Sequence, residues 1–120
     1  MEGQKKEFDL EIRTTKFASD VRTFVKKLPL TLGNKEDSKQ LIRSSGSVGA
    51  NYIETGDALG SKDFTMHMRI SRKEVRESIH WLALIDTTNN PSLENQRKLL
   101  LDEADQLMRI FGKIVRDRTP

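Results

Sequence analysis

The chain has 120 residues, 35% hydrophobic, 6% aromatic and 32% charged, with 21 Lys and Arg against 18 Asp and Glu for a net charge of +3. That length suits a single domain, residues 1–120, and so small a net charge argues against disorder even at this low hydrophobicity. With no cysteine, a disulfide framework, thiolate metal ligands and a Cys nucleophile are excluded, and no apolar run approaches the ~18 residues of a membrane span.

The charged start, Met1 to Phe8, lacks the apolar centre of a signal peptide, so a soluble, cytoplasmic protein without membrane contact is expected. An apolar fraction this thin points to long helices or to an oligomer. Proline occurs only at positions 29, 91 and 120. Between these breaks the apolar residues follow a helical period, with no convincing strand alternation.

The first helix is predicted over about residues 9–28, where Leu10, Phe17, Val21, Phe24 and Leu28 fall on one stripe; Pro29 and the segment Leu30 to Asn34 close it. The second is predicted over 35–58. Leu41, Ile42, Ser45, Val48, Gly49, Tyr52 and Ile53 share its inner face, while Gly46, Ser47 and Ala50 lie opposite, with Arg43 and Glu54 at the two ends. Ser44 to Ser47 are poor helix formers, and only the apolar period running through them argues for a helix. Small residues on both faces suit packing on two sides.

The third helix is predicted over 61–88, with Ser61 as its cap and Asp63 at the positive end of the dipole. Phe64, His67, Met68, Ser71, Val75, Ser78, Leu82 and Ile85 form its inner stripe. The fourth, over 91–118, opens with Asn90 as cap and Pro91 in the first turn. Leu93, Leu100, Leu107 and Ile114 repeat every seven residues, with Ala104, Phe111 and Val115 beside them, as in a bundle seam. Short connections make neighbours antiparallel, so the expected fold is an all-α, up-down-up-down four-helix bundle.

Catalytic chemistry finds little support. His67 and His80 are the only histidines, too far apart on one helix to share a metal. The paired Glu-x-x-His pattern of a di-iron bundle is incomplete, there is no nucleophile elbow, and no phosphate-cradling glycine loop occurs. The Arg–His spacing of helical-bundle nucleases is not matched by Arg72, Arg76 and His80. No catalytic, cofactor or metal residues are therefore assigned.

The strongest electrostatic feature is Arg69, Arg72, Lys73 and Arg76, which occupy an arc of about 100° opposite the core stripe of the third helix, joined by His80. A solvated face explains such a run; so does a track for nucleic-acid phosphates, each adding salt-dependent affinity. The arc itself carries no aromatic residue for base stacking, so backbone attraction should dominate any binding. Asn51, Glu54, Glu74 and Glu77 sit beside apolar faces, where hydrogen bonding between helices or subunits is the simpler role than catalysis.

Residues Ile42 to Ile85 resemble the 23S rRNA-intervening-sequence proteins, a family of bacterial four-helix bundles. The resemblance rests on Arg43-Ser44 followed by small residues, on Asn51 to Glu54, on Ser61 to Phe64, on Lys73 to Glu77 and on Trp81-Leu82. Thr55-Gly56 departs from the usual pattern and bears on where the second helix ends. The resemblance implies a homopentamer, often encoded within insertions in ribosomal RNA genes, and names no catalytic residues. It also implies a relation to bundles that act as retroelement accessory proteins, binding nucleic acid and a reverse transcriptase. On this basis Arg43, Gly46, Ser47, Ala50, Asn51 and Glu54, with Phe64, Glu74, Glu77 and Trp81, are expected to serve structure or a subunit interface. Two functions follow as expectations: a non-enzymatic homo-oligomer that binds RNA or DNA through basic faces, or a scaffold for another protein with no nucleic-acid contact.

Overall fold

The computed structural model describes the backbone of residues 2–118 and the side chains of residues 10–118. Four helices follow one another: α1 Glu2–Lys26, α2 Leu32–Gly56, α3 Ser61–Leu84 and α4 Pro91–Arg118. Each packs against its neighbours in the chain, α1 closes sparsely on α4, and across the α2–α4 diagonal the rings of Tyr52 and Phe111 meet with centroids 6.1 Å apart. The described residues thus form the expected antiparallel four-helix bundle, 45 × 28 × 21 Å.

The core follows the sequence stripes. Leu10, Phe17, Val21, Phe24 and Leu28 of α1 and its C-terminal turn are buried, as are Leu93, Leu100, Ala104, Leu107, Phe111 and Val115 of α4. Ile114 is only partly covered. Ile53, expected on the inner face of α2, is 51% exposed. It lies on the flank of that stripe, beyond the reach of α1 and α3.

Several helix ends differ from the expected ones, most of them where a side chain captures backbone groups. The segment expected to close α1 instead starts α2 at Leu32, because the Thr31 hydroxyl accepts the Asn34 N–H at 3.1 Å and satisfies one free donor of the first turn. At its other end α2 stops at Gly56, with the Asp57 N–H returning to the Glu54 and Thr55 carbonyls. Ser61 does not cap α3. The cap position is Gly60, at φ +113°, where a side chain would be strained, and Asp63 reaches back to accept the Leu59 N–H at 3.0 Å.

The backbone of α1 is helical from Glu2, seven residues before the expected start, and α3 stops at Leu84 instead of continuing to residue 88. Buried Asn34 donates to the Asp86 carbonyl at 2.8 Å and accepts the Asp86 N–H at 2.9 Å. Arg97 of α4 donates to the carbonyls of Leu82 and Ile85. These groups draw the chain out of the helix while Ile85 remains buried, so the apolar period outlasts the helix itself. Thr88 and Asn89 then adopt left-handed conformations, and Asn90 caps α4 as expected, its side-chain oxygen accepting the Leu93 N–H at 3.1 Å.

The α2–α3 seam is built from small polar residues. Ser44, Ser45, Ser71 and Ser78 are fully buried, and their hydroxyls have partners: Ser44 with Ser78, Ser71 with the Val48 carbonyl, Ser45 with the Ile42 carbonyl. Hydroxyl groups satisfied in this way carry little desolvation cost. Gly49 serves the α1–α2 approach, since a Cβ there would lie 2.9 Å from Thr14 Oγ1. The close seams fix how α2 and α3 present their outer surfaces.

Candidate nucleic-acid interface

Arg69, Lys73 and Arg76 are exposed on the outer side of α3, and Arg72 is half-buried. Their spacing of three and four residues stacks them on successive turns over about 10 Å of helix. Arg72 leans towards α4: a Cβ on Gly112 would lie 3.8 Å from its Cδ and its Nη1. Together the four cations line a concavity of about 350 Å³ whose remaining walls are Glu77, His80 and Trp81.

None of the four makes an ion pair among the described residues, whereas Arg13, Lys16, Lys39, Arg43, Arg97 and Arg109 do. Arg13 grips Glu103 at 2.6 Å, Lys16 binds Asp20 at 2.6 Å, Arg109 meets Asp105 at 3.0 Å, and Arg97 pairs with Glu94. The groove holds a single carboxylate, Glu77, and Arg43 of α2 approaches it from the far side at 3.6 Å while contacting Glu74 at 3.4 Å. Burial, then the neighbouring Glu77, pushes the Glu74 carboxyl above the usual carboxylate range. A hydrogen bond from Glu74, helped by the charges of Arg43 and Lys73, holds Glu77 below it. Glu74 is therefore the member that takes up a proton first as pH falls, and Glu77 carries the charge that Arg43 offsets.

The family-motif residues divide into groups. Arg43, Glu74 and Glu77 form one cluster with Ser47 beside it, whose hydroxyl donates to the Arg43 carbonyl at 3.0 Å. Asn51 joins α2 to α3 by a 3.3 Å contact with His67, whose other ring nitrogen lies 3.4 Å from Asp63. Gly46 faces α1, with Arg22 Nη2 3.6 Å from where its Cβ would be. Ala50 and Glu54 are exposed. Phe64 lies away from the groove, its ring covered by the Arg118 guanidinium at 4.1 Å.

Trp81 was missed as part of the basic face. A helical projection sets it to one side of the arc, but its long ring reaches the same concavity. His80, at the C-terminal end of the cations, meets it edge to face with ring centroids 4.8 Å apart. The indole Nε1 has no hydrogen-bond partner among the described residues, so packing and the steeply tilted contact with His80 position the ring. Another opening, of about 450 Å³, runs along the α1–α4 seam over Phe17, Phe24 and Leu100. On its rim Lys16 and Glu103 are already engaged by Asp20 and Arg13, so it offers apolar shape more than charge.

The architecture and this groove define an all-α bundle with a line of cations on its third helix that make no ion pair among the described residues. The family model for 23S rRNA-intervening sequence proteins matches residues 6–113, and the chain belongs to that family. Among solved structures it is similar to a protein of unknown function from the S23 ribosomal protein family of Bacteroides thetaiotaomicron. The two share 25% sequence identity over 92% of this chain and 98% of the other, with a TM-score of 0.76. No curated protein matches it significantly. Among the described residues, no helix is long and apolar enough to cross a membrane.

Proposed function

We propose that this protein is a non-enzymatic homo-oligomer that binds RNA or DNA through the α3 groove. The observation that carries this reading is the line of Arg69, Arg72, Lys73 and Arg76, stacked in one concavity without an ion-pair partner among the described residues. A cation satisfied by a neighbouring carboxylate must give up that partner to bind phosphate. Among the described residues these four have no ion-pair partner to give up, and only Lys73 feels the charge of Glu77, so their charge is available to release counterions from a nucleic-acid backbone.

Oligomerisation supports the same reading. Five copies of a chain of net charge +3, the assembly that the family resemblance implies, carry five such grooves and gain avidity from multivalent contact. Ala50, Ile53, Leu59 and Met66 leave apolar atoms in solvent near the end of the bundle where α2 turns into α3, which suits a subunit contact on that side.

The test is a gel-shift titration of RNA and DNA over a range of salt, comparing the native chain with one carrying Arg69→Glu, Arg72→Glu and Arg76→Glu. The native protein should bind with a steep salt dependence, and the reversed charges should abolish binding and flatten that slope by up to about three phosphate contacts. Absence of binding at low salt, or binding indifferent to the three charges, refutes the reading and leaves a protein scaffold. Sedimentation showing a monomer at working concentration refutes the assembly.

A further inference from the structure

The composition of the groove narrows its ligand. We infer that it takes unpaired nucleic acid, with one exposed base stacking on a ring of the Trp81–His80 pair while the cations hold the adjoining phosphates; this rests on the nucleic-acid reading above.

Three observations converge on that class of ligand. The aromatic pair lies at one end of the line of cations and lines the same concavity, so a base on the rings and a phosphate on Arg76 or Lys73 belong to one short stretch of strand. The volume of about 350 Å³ suits a nucleotide-sized group and is too small for the side of a duplex. His80 is exposed, Trp81 is half-buried, and their edge-to-face contact at 4.8 Å fixes the indole plane without a hydrogen bond that a ligand would have to break.

Stacking decides between strand and duplex. In a duplex every base face is already covered by its neighbours, so an aromatic platform contributes nothing unless a base is unstacked first. An unpaired strand offers its base faces at little cost, and each stacked base adds to affinity whatever its identity. Electrostatics alone would favour the duplex, whose charge density is higher. The groove thus makes a prediction opposite to that of its charge.

The chain contains one tryptophan, so its fluorescence reports on this site alone. The intact protein is titrated with an oligouridylate of about ten nucleotides, which neither pairs nor stacks on itself, and with an RNA duplex of equal length; binding is followed by anisotropy of labelled RNA. Saturable quenching of Trp81 by the single strand is expected, with tighter binding than to the duplex. Trp81→Leu should weaken single-strand binding by about tenfold or more and leave duplex binding unchanged, whereas Trp81→Phe should retain most of the affinity. Should Trp81→Leu fail to fold, His80→Ala, at an exposed ring, makes the same comparison. Single-strand binding without quenching, or equal loss for both polymers in the variants, overturns the inference and leaves the proposed function intact. Failure of both polymers to bind overturns the two together.

Discussion

Ser44 of α2 and Ser78 of α3 meet oxygen to oxygen at 2.8 Å, both fully shielded from solvent. Ser78 donates to the Glu74 carbonyl at 2.9 Å, while the contact of Ser44 with the Leu41 carbonyl is longer, 3.3 Å. Ser44 is thus the donor between the two hydroxyls. Either serine changed to alanine should cost about 1 kcal/mol. The double variant should cost less than the sum, because the second change removes a hydroxyl that has already lost its bond to the other helix. Urea melts of the four proteins measure the coupling, and strict additivity would contradict the bond.

Asn34 holds the α1–α2 connection against the end of α3 through the Pro29 carbonyl and both backbone groups of Asp86. Asn34→Ala should lower stability by about 2–3 kcal/mol and speed amide exchange at Asp86. Asn34→Asp keeps an acceptor for the Asp86 N–H but turns a buried carboxylate oxygen toward the Pro29 and Asp86 carbonyls, so at neutral pH it should cost at least as much as the alanine. An unchanged exchange rate at Asp86 in Asn34→Ala would show that the turn holds itself.

The carboxyl pair beneath Arg43 gives stability a defined pH dependence. Glu74 titrates above the ordinary carboxylate value, so its contribution is lost as pH rises through its folded pKa; Glu77 titrates below it, so its contribution is lost as pH falls through its own. The pair is most favourable between these limits, where one proton is retained. Glu74→Gln should remove the decline on the alkaline side and preserve the decline in acid. Thermal melts from about pH 4 to 8 test this, and an alkaline decline unchanged in the variant would assign it elsewhere.

The core was legible because it depends on spacing along one helix: Phe17, Val21 and Phe24 announce their stripe within eight residues, and each is buried. The early end of α3 was not legible in this way. Its cause, Asn34, is 52 positions from Asp86 in the chain, and Ile85 continues the apolar period after the helix has ended. The cations could be placed on one arc from sequence, but whether carboxylates from other helices would neutralise them could not. Trp81 shows the limit of a helical projection, which places Cα directions and ignores the length of a side chain. The motif residues Arg43, Glu74 and Glu77 came together as a cluster, whereas Gly46 turned towards Arg22 of α1.

Arg72 lies across Gly112 of α4, with its Cδ and Nη1 each 3.8 Å from where a Cβ would stand. A long cationic side chain free in water loses rotamer entropy when a ligand immobilises it. Arg72 has surrendered part of that freedom during folding, so contact with a phosphate asks less ordering of it than of Arg69, Lys73 or Arg76. The preorganisation comes from a residue with no side chain and no charge, on a different helix. Gly112 thereby belongs functionally to a surface it never touches with an atom of its own side chain.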